Sequence, residues 1–242
     1  LSKVALIVVT HDPNGKNIEL FNELRVHIES NYSELFITIS EESSTDIIET
    51  IKDSKFNIKI IPKNGAGAAR REVVKFGLSG QSDYFHYCDF DRLLTWCKYY
   101  PNELKTIVSD IPKYDYLILG RTERAMNTHP IEWVETEKIT NKICSIELGN
   151  VVDITAGSCS FSRKSAELIN KFSKEKMTDA EWAMIAKRIG GYQVHYLPVE
   201  GLEYHEETNG LTRKISDSEK WFSRLRLSLI ISESAIKTGL KA

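Results

Sequence analysis

A chain of 242 residues with 41% hydrophobic and 27% charged side chains has the composition of a soluble globular protein with room for a substantial core, which excludes a peptide, a disulfide miniprotein and a disordered chain. Lys and Arg number 32 against 34 Asp and Glu, and a formal charge of -2 supplies no continuous basic surface for a phosphate backbone, so nucleic acid is not an expected partner. No apolar run is long enough to cross a bilayer. The four scattered cysteines, Cys88, Cys97, Cys144 and Cys159, spell neither a zinc site nor a redox pair, so buried free thiols in a reducing, cytoplasmic setting are expected.

Residues 3–10, KVALIVVT, form an apolar run ending in polar residues, the pattern of a strand buried on both faces in a parallel sheet. A turn at Pro13-Asn14-Gly15 follows, then Leu20, Phe21, Leu24 and Ile28 at helical spacing. The strand ELFITIS comes next, and Ser44-Thr45-Asp46 starts a helix carrying Ile47, Ile48 and Ile51. The strand FNIKII, a helix over 66–78 and a strand over 83–88 continue the alternation, which predicts a mostly parallel sheet covered by helices, the α/β doubly wound class. Past Asp91 the rhythm loosens. It predicts a helix over 101–110, the strand YDYLILG, a loop from Arg121 to Pro130 and a helix over 131–147. A strand from Val151 to Phe161, a helix over 163–172, a short helix after Thr178 and the strand YQVHYLPV complete the body. Trp221, Phe222, Leu225, Leu229 and Ile236 share one face of a last helix, expected to dock on the domain through that face.

Two segments carry chemistry. In Tyr84-Phe85-His86-Tyr87-Cys88-Asp89-Phe90-Asp91 a strand runs into two carboxylates one residue apart, at the sheet edge where open α/β sheets bind ligands. Strand alternation puts Asp89 and Asp91 on one side, able to address one hard divalent cation that would bridge a nucleotide diphosphate; a solvated surface turn is the alternative. In Lys63-Asn64-Gly65-Ala66-Gly67-Ala68-Ala69-Arg70-Arg71 small residues and two arginines open a helix, an arrangement that admits an anion, although a plain tight turn also explains it.

In their order these segments resemble the GT-A-fold nucleotide-sugar glycosyltransferases, family 2 type, which include the polyprenyl-phosphate mannose synthases. The first strand ends at Val9-Thr10-His11-Asp12, and Glu41 or Glu42 stands at the acidic position after the second strand. Lys63, Gly65, Ala69, Arg70 and Arg71 occupy an N-x-G-x-x-x-A-R-N pattern in which both asparagines are replaced, and Asp89 and Asp91 stand at the D-x-D. The segment ending Gly120-Arg121 is similar to a family Gly-Ser-Arg, and 152–163 is similar to D-x-x-x-G-F-R-x-x-R without its first arginine. The proline-rich continuation after the D-x-D is missing.

The resemblance implies a metal-dependent transferase, with Mn2+ or Mg2+, that moves a sugar from a nucleotide diphosphate sugar to a hydroxyl or phosphate acceptor, with inversion favoured. The acceptor is a small molecule, a lipid phosphate or a glycan, and a peripheral place at the membrane is compatible with it. It implies Thr10, His11, Asp12, Glu41, Lys63, Gly65, Arg70 and Asp89 around the donor, and Asp89, Asp91 and His205 on the metal, with an ordinary surface loop histidine as the alternative for His205. Asp179 stands first and Glu181 second as general base, with N-terminal helix capping as the alternative for both. Arg121, Arg124 and His129 lie in a loop that would cover the acceptor and hold its phosphate or carboxylate, with a solvated loop as the alternative. Residues 1–210 form the transferase domain and 211–242 a helix docked on it. A binding module of the same fold that has lost turnover is the competing reading.

Overall fold

The structure, a computed structural model, describes residues 3–210 and 216–240. Seven strands follow the apolar runs: β1 (Val4–Thr10), β2 (Glu34–Ser40), β3 (Asn57–Ile61), β4 (Tyr84–Asp89), β5 (Tyr116–Arg121), β6 (Ser158–Ser162) and β7 (Val194–Val199). They form one sheet in the order β3-β2-β1-β4-β6-β5-β7. All pairings are parallel except those of β6, which runs against both β4 and β5. The helices that join them are α1 (Ile18–Asn31), α2 (Thr45–Lys52), α3 (Ala66–Gly77), α4 (Phe90–Tyr99), α5 (Pro101–Asp110), α6 (Glu123–Met126), α7 (Ile131–Leu148), α8 (Arg163–Phe172), α9 (Asp179–Met184), α10 (Glu206–Asn209) and α11 (Asp217–Lys237).

Apolar side chains leave the sheet on both faces because its central strands are covered on both. On one face Leu6, Val8, Ile37 and Ile39 meet Phe21, Leu24 and Ile28 of α1 and Phe90, Leu93 and Leu94 of α4. On the other Ala5, Ile7, Phe36 and Phe85 meet Val73 and Val74 of α3, with Trp182 of α9 in the same cluster. Short polar side chains start the helices: Ser44 accepts from the Ile47 amide, Ser162 from the Ser165 amide, and Ser216 forms a capping box with Glu219. The four cysteines are buried and free.

Several sequence expectations change. A further helix, α4, occupies the stretch where the periodicity faded. Most of it is buried, the polar Arg92 and Thr95 included, so its polar side chains do not mark a solvent face. The expected loop after Arg121 contains the short helix α6, capped by Thr122. The strand expected from Val151 begins only at Ser158; before it, the Asp153 carboxylate accepts the Arg121 amide at the end of β5 and the Ile154 amide donates to the Asn141 side chain, in place of backbone strand pairing. Helix α11 docks on α7 and α9, but through Ser228, Ile231, Ser232, Ser234 and Ala235. The face expected to dock is turned outward, with Phe222 67% and Leu229 58% exposed. Small side chains allow close helix approach, as where the Thr140 and Ser228 hydroxyls meet at 2.5 Å. The expected division between 210 and 211 borders residues 211–215, which lie outside the described residues.

Candidate active site

The carboxyl ends of β1, β2, β3 and β4 come together at one sheet edge, where register sets Val9 beside Asp89 and Ser40 beside Ile61. A cavity of about 430 Å³ opens there. Val9, Thr10 and Asp89 line it from the strands, and His11, Lys16 and Asn17 from the loop into α1. Lys63, Asn64 and Gly65 line it ahead of α3, whose Ala69 and Arg70 complete that wall. Gly65 has φ +88° and directs nothing into the space, so the α3 amides at this end stay open to an anion. Asn17 is buried, and its Oδ1 has no partner among the described residues.

Arg70 organises the back of this cavity. Its Nη2 donates to Asp89 Oδ2 at 2.9 Å and Oδ1 at 3.2 Å, while Nη1 donates to Asp179 Oδ2 at 2.8 Å and Thr178 Oγ1 at 3.4 Å. Burial works against the guanidinium, but the carboxylates of Asp179 and Asp89 outweigh it and hold the group well above the usual arginine value. The Tyr87 hydroxyl donates to Asp89 Oδ1. Gly157 at φ +76° lets the β6 approach come this close: a Cβ there would meet Asp89 Oδ2 at 2.6 Å, and the Gly157 carbonyl takes the Asp89 amide at 3.0 Å. Strand alternation does not relate the two acids, because β4 ends at Asp89 and Asp91 sits in the first turn of α4. They nevertheless line the same cavity.

The structure brings Thr10, His11, Lys63, Gly65, Arg70, Asp89 and Asp91 together and leaves other expected residues apart. Asp12 is buried in the loop itself: its Oδ1 accepts from the Lys16 amide and its Oδ2 from the Asn17 amide, each at 3.0 Å, so it shapes the wall without facing the cavity. Glu41 is exposed and off the lining, because its chain end turns outward after the backbone bond to Ile61, and Lys63 pairs instead with Glu42 at 2.6 Å. Glu181 is fully buried; it accepts from Ser173 Oγ and from the Lys174 and Glu175 amides at 2.5–2.8 Å, which removes it as a base. His205 bonds Glu203 Oε1 at 2.9 Å and stacks on Tyr99 at 4.2 Å, away from both acids' cavity. Asn209 is the link in its place: its Oδ1 accepts the His205 amide and its Nδ2 donates to Asp91 Oδ2, both at 2.9 Å.

The acceptor residues are corrected as well. Arg121 is buried in a polar knot, with Nε on Asp153 Oδ2 at 2.7 Å and Nη2 on Glu137 Oε2 at 2.7 Å and Thr155 Oγ1 at 2.8 Å. Arg124 is half exposed and spent on Glu200, Glu203 and the Tyr100 hydroxyl. Burial alone would raise Asp153, yet Arg121 holds it at about 2. Its folded value lies below the ordinary 3.8, so the knot contributes stability in full above pH 4 and loses it between pH 4 and 2. Urea melts across that window are expected to show a loss on the order of 2 kcal/mol that is smaller in Asp153→Asn. An identical slope in the variant would refute the assignment.

A second cavity of about 190 Å³ lies against the first, and Arg70, Asp89 and Asp91 line both. Its lining also holds Arg92, Trp133, Thr136, Thr140, Asn209 and Arg224, with Asp179 beside Arg70. None of Asn17, Asn209, Arg92, Trp133 or Arg224 was legible as a site residue, because each lies outside a recognisable motif. Cys88 and His86 do not supply a nucleophile and its base: burial raises the Cys88 thiol well above its usual value and lowers His86 to about 3, and neither lines the two cavities.

Among the described residues no group of three or more His, Cys, Asp or Glu side chains is arranged to hold a metal ion. A cation of the Mg2+ type needs only one or two carboxylates when substrate phosphates and water complete its shell. Asp91 fits that role most openly, since its Oδ1 carries no hydrogen bond among the described residues, while both Asp89 oxygens also accept from Arg70 and Oδ1 from Tyr87.

The fold matches solved structures across its length. Glucosyl-3-phosphoglycerate synthase from Mycobacterium tuberculosis with Mn2+, UDP and glucosyl-3-phosphoglycerate superposes with a TM-score of 0.65 at 12% identity, covering 98% of this chain and 81% of that one. The same synthase with Mn2+, UDP-glucose and phosphoglyceric acid gives 0.60 at 11% identity, covering 97% and 80%. Mannosyl-3-phosphoglycerate synthase from Rubrobacter xylanophilus gives 0.61 at 10% identity, covering 96% and 73%. The chain therefore has the α/β fold of the GT-A type. No protein-family model matches it, and no curated protein does. No helix among the described residues is long and apolar enough to cross a membrane.

Proposed function

We propose that this protein is a divalent-cation-dependent glycosyltransferase that takes the sugar of a nucleotide diphosphate sugar and passes it to an acceptor hydroxyl. The observation that carries the reading is the pair of adjoining cavities with Arg70, Asp89 and Asp91 in their common wall. The larger has the volume of a nucleotide-sized site, with Lys16 and Lys63 in its lining and the start of α3 open beside them. Asp89 and Asp91 would hold Mn2+ or Mg2+, which supplies neutralisation of the leaving diphosphate. The solved structures of this fold carry Mn2+ with UDP or UDP-glucose, in support of the same donor class.

Asp179, facing the smaller cavity, is the remaining candidate for the base that inversion requires. One observation favours the non-catalytic reading: Arg70 already engages the Asp179 carboxylate, which weakens it as a base. Donor turnover separates the two. A polyprenyl phosphate could place no more than its headgroup in 190 Å³. The four buried, unbonded thiols support a reducing compartment.

The direct test is thermal unfolding with UDP and MnCl2. At a hundredfold excess over Kd a ligand specific for the folded state adds about 2.7 kcal/mol, and at roughly 2–4 °C per kcal/mol the melting temperature should rise by roughly 5–10 °C. No shift with any of several nucleotide diphosphates would sink the proposal.

A further inference from the structure

The smaller cavity holds two guanidinium groups that their surroundings leave almost unspent. Arg92 of α4 is 8% exposed, and its one hydrogen bond among the described residues runs from Nη1 to the Glu203 carbonyl at 3.3 Å. Arg224 of α11 makes no hydrogen bond among them. Its nearest acid oxygen is Glu137 Oε1 at 3.9 Å, and the other Glu137 oxygen is taken by Arg121 and Thr155. Both arginines approach one indole: the guanidinium carbon of Arg224 lies 3.1 Å from the Trp133 ring centroid and that of Arg92 5.8 Å. Burial, reinforced by Arg92 and opposed by Glu137, pushes Arg224 down to about 10. Two half-paired like charges beside one ring are costly unless an anion joins them.

We propose that Arg92 and Arg224, seated on Trp133, form an anion subsite that takes a phosphate or carboxylate group of the acceptor. The planar N–H forks suit two oxygens of such a group, and the indole face supports the cations between encounters. The remaining lining includes Thr136, Thr140 and Ser228, whose hydroxyls bond to one another and to helix carbonyls, so the two guanidinium groups are the open polar groups of this part of the cavity. The acceptor on this reading carries an anionic group beside its hydroxyl and is not a neutral glycan, and its anion is gripped in the cavity that Asp89 and Asp91 also line. The role as acceptor rests on the donor reading of the larger cavity; anion binding at the two arginines does not.

The experiment uses the full chain. UDP with MnCl2 is titrated first by calorimetry, then glycerol 3-phosphate, inorganic phosphate and glycerol, into wild type, Arg224→Gln and Arg92→Lys. Glycerol 3-phosphate and phosphate are expected to bind the wild type and glycerol to fail. Arg224→Gln should weaken both anions by about tenfold or more while the UDP affinity stays within about twofold. Arg92→Lys, which keeps the charge and most of the packing, should lose part of the anion affinity. Phosphatidylcholine vesicles containing phosphatidic acid form a further arm: binding to these alone, lost in Arg224→Gln, assigns the phosphate to a lipid headgroup at the same subsite. Failure of UDP to bind overturns the donor reading, and the anion titrations are then read without it. Anions that bind wild type and both variants equally, or bind none of them in solution or on vesicles, overturn the subsite.

Discussion

Asp91→Asn is expected to lower donor turnover by about a thousandfold while leaving the fold intact. Asp91 sits in the first turn of a helix with one oxygen bonded to Asn209 and the other without a hydrogen bond among the described residues. An amide keeps that geometry and can still accept from Asn209, but it forfeits the charge that a divalent cation requires. The charge stabilisation such a cation contributes is several kcal/mol, and about 4 kcal/mol corresponds to roughly a thousandfold in rate. Release of nucleotide diphosphate, measured against Mn2+ concentration, should show a strongly weakened metal dependence with an unchanged urea midpoint. Wild-type turnover and metal response in the variant would remove Asp91 from the site.

Arg70→Met should be the more destructive change for the fold. It leaves the Asp89 and Asp179 carboxylates facing each other across the volume that the guanidinium filled, with Asp179 deeply buried. Removing one member of a buried ionic cluster costs about 3–5 kcal/mol, because the remaining charges are left without compensation. Arg70→Lys separates charge from shape. Lysine restores the cation, but a single ammonium replaces two separately directed Nη groups, so it should recover part of the stability and little of the turnover. Denaturant melts and donor turnover on the three proteins test this, and an Arg70→Met protein as stable and as active as wild type would refute it.

The agreement between sequence and structure follows what each residue needs from its neighbours. That Thr10, Lys63, Gly65, Asp89 and Asp91 would lie around one cavity was legible because they stand within a few residues of a strand end or helix start, and those positions follow from local periodicity. Glu181 and Asp12 were misread because an acid at a helix or loop start looks the same whether it faces a ligand or ties down backbone amides. Arg121 was misread for the related reason that its partners, Asp153 and Glu137, are 32 and 16 residues away. The outward face of α11 shows the limit of periodicity: it reports that a helix is two-sided, and contact with α7 and α9 selected the serine-rich side.

The amino-acid order determined the alternation of strand and helix, the parallel character of most of the sheet and the edge at which ligands would bind, since these depend on apolar spacing and on the chirality of short connections. Only the tertiary structure decided which charges face one another. It joined Arg70 to acids 19 and 109 residues away, gave Asp91 an asparagine partner 118 residues on, and set Arg92 and Arg224 beside one tryptophan. Electrostatic and hydrogen-bonding partners are selected by distance in space, and chain spacing carries no record of that distance once a sheet and its helices have closed around them.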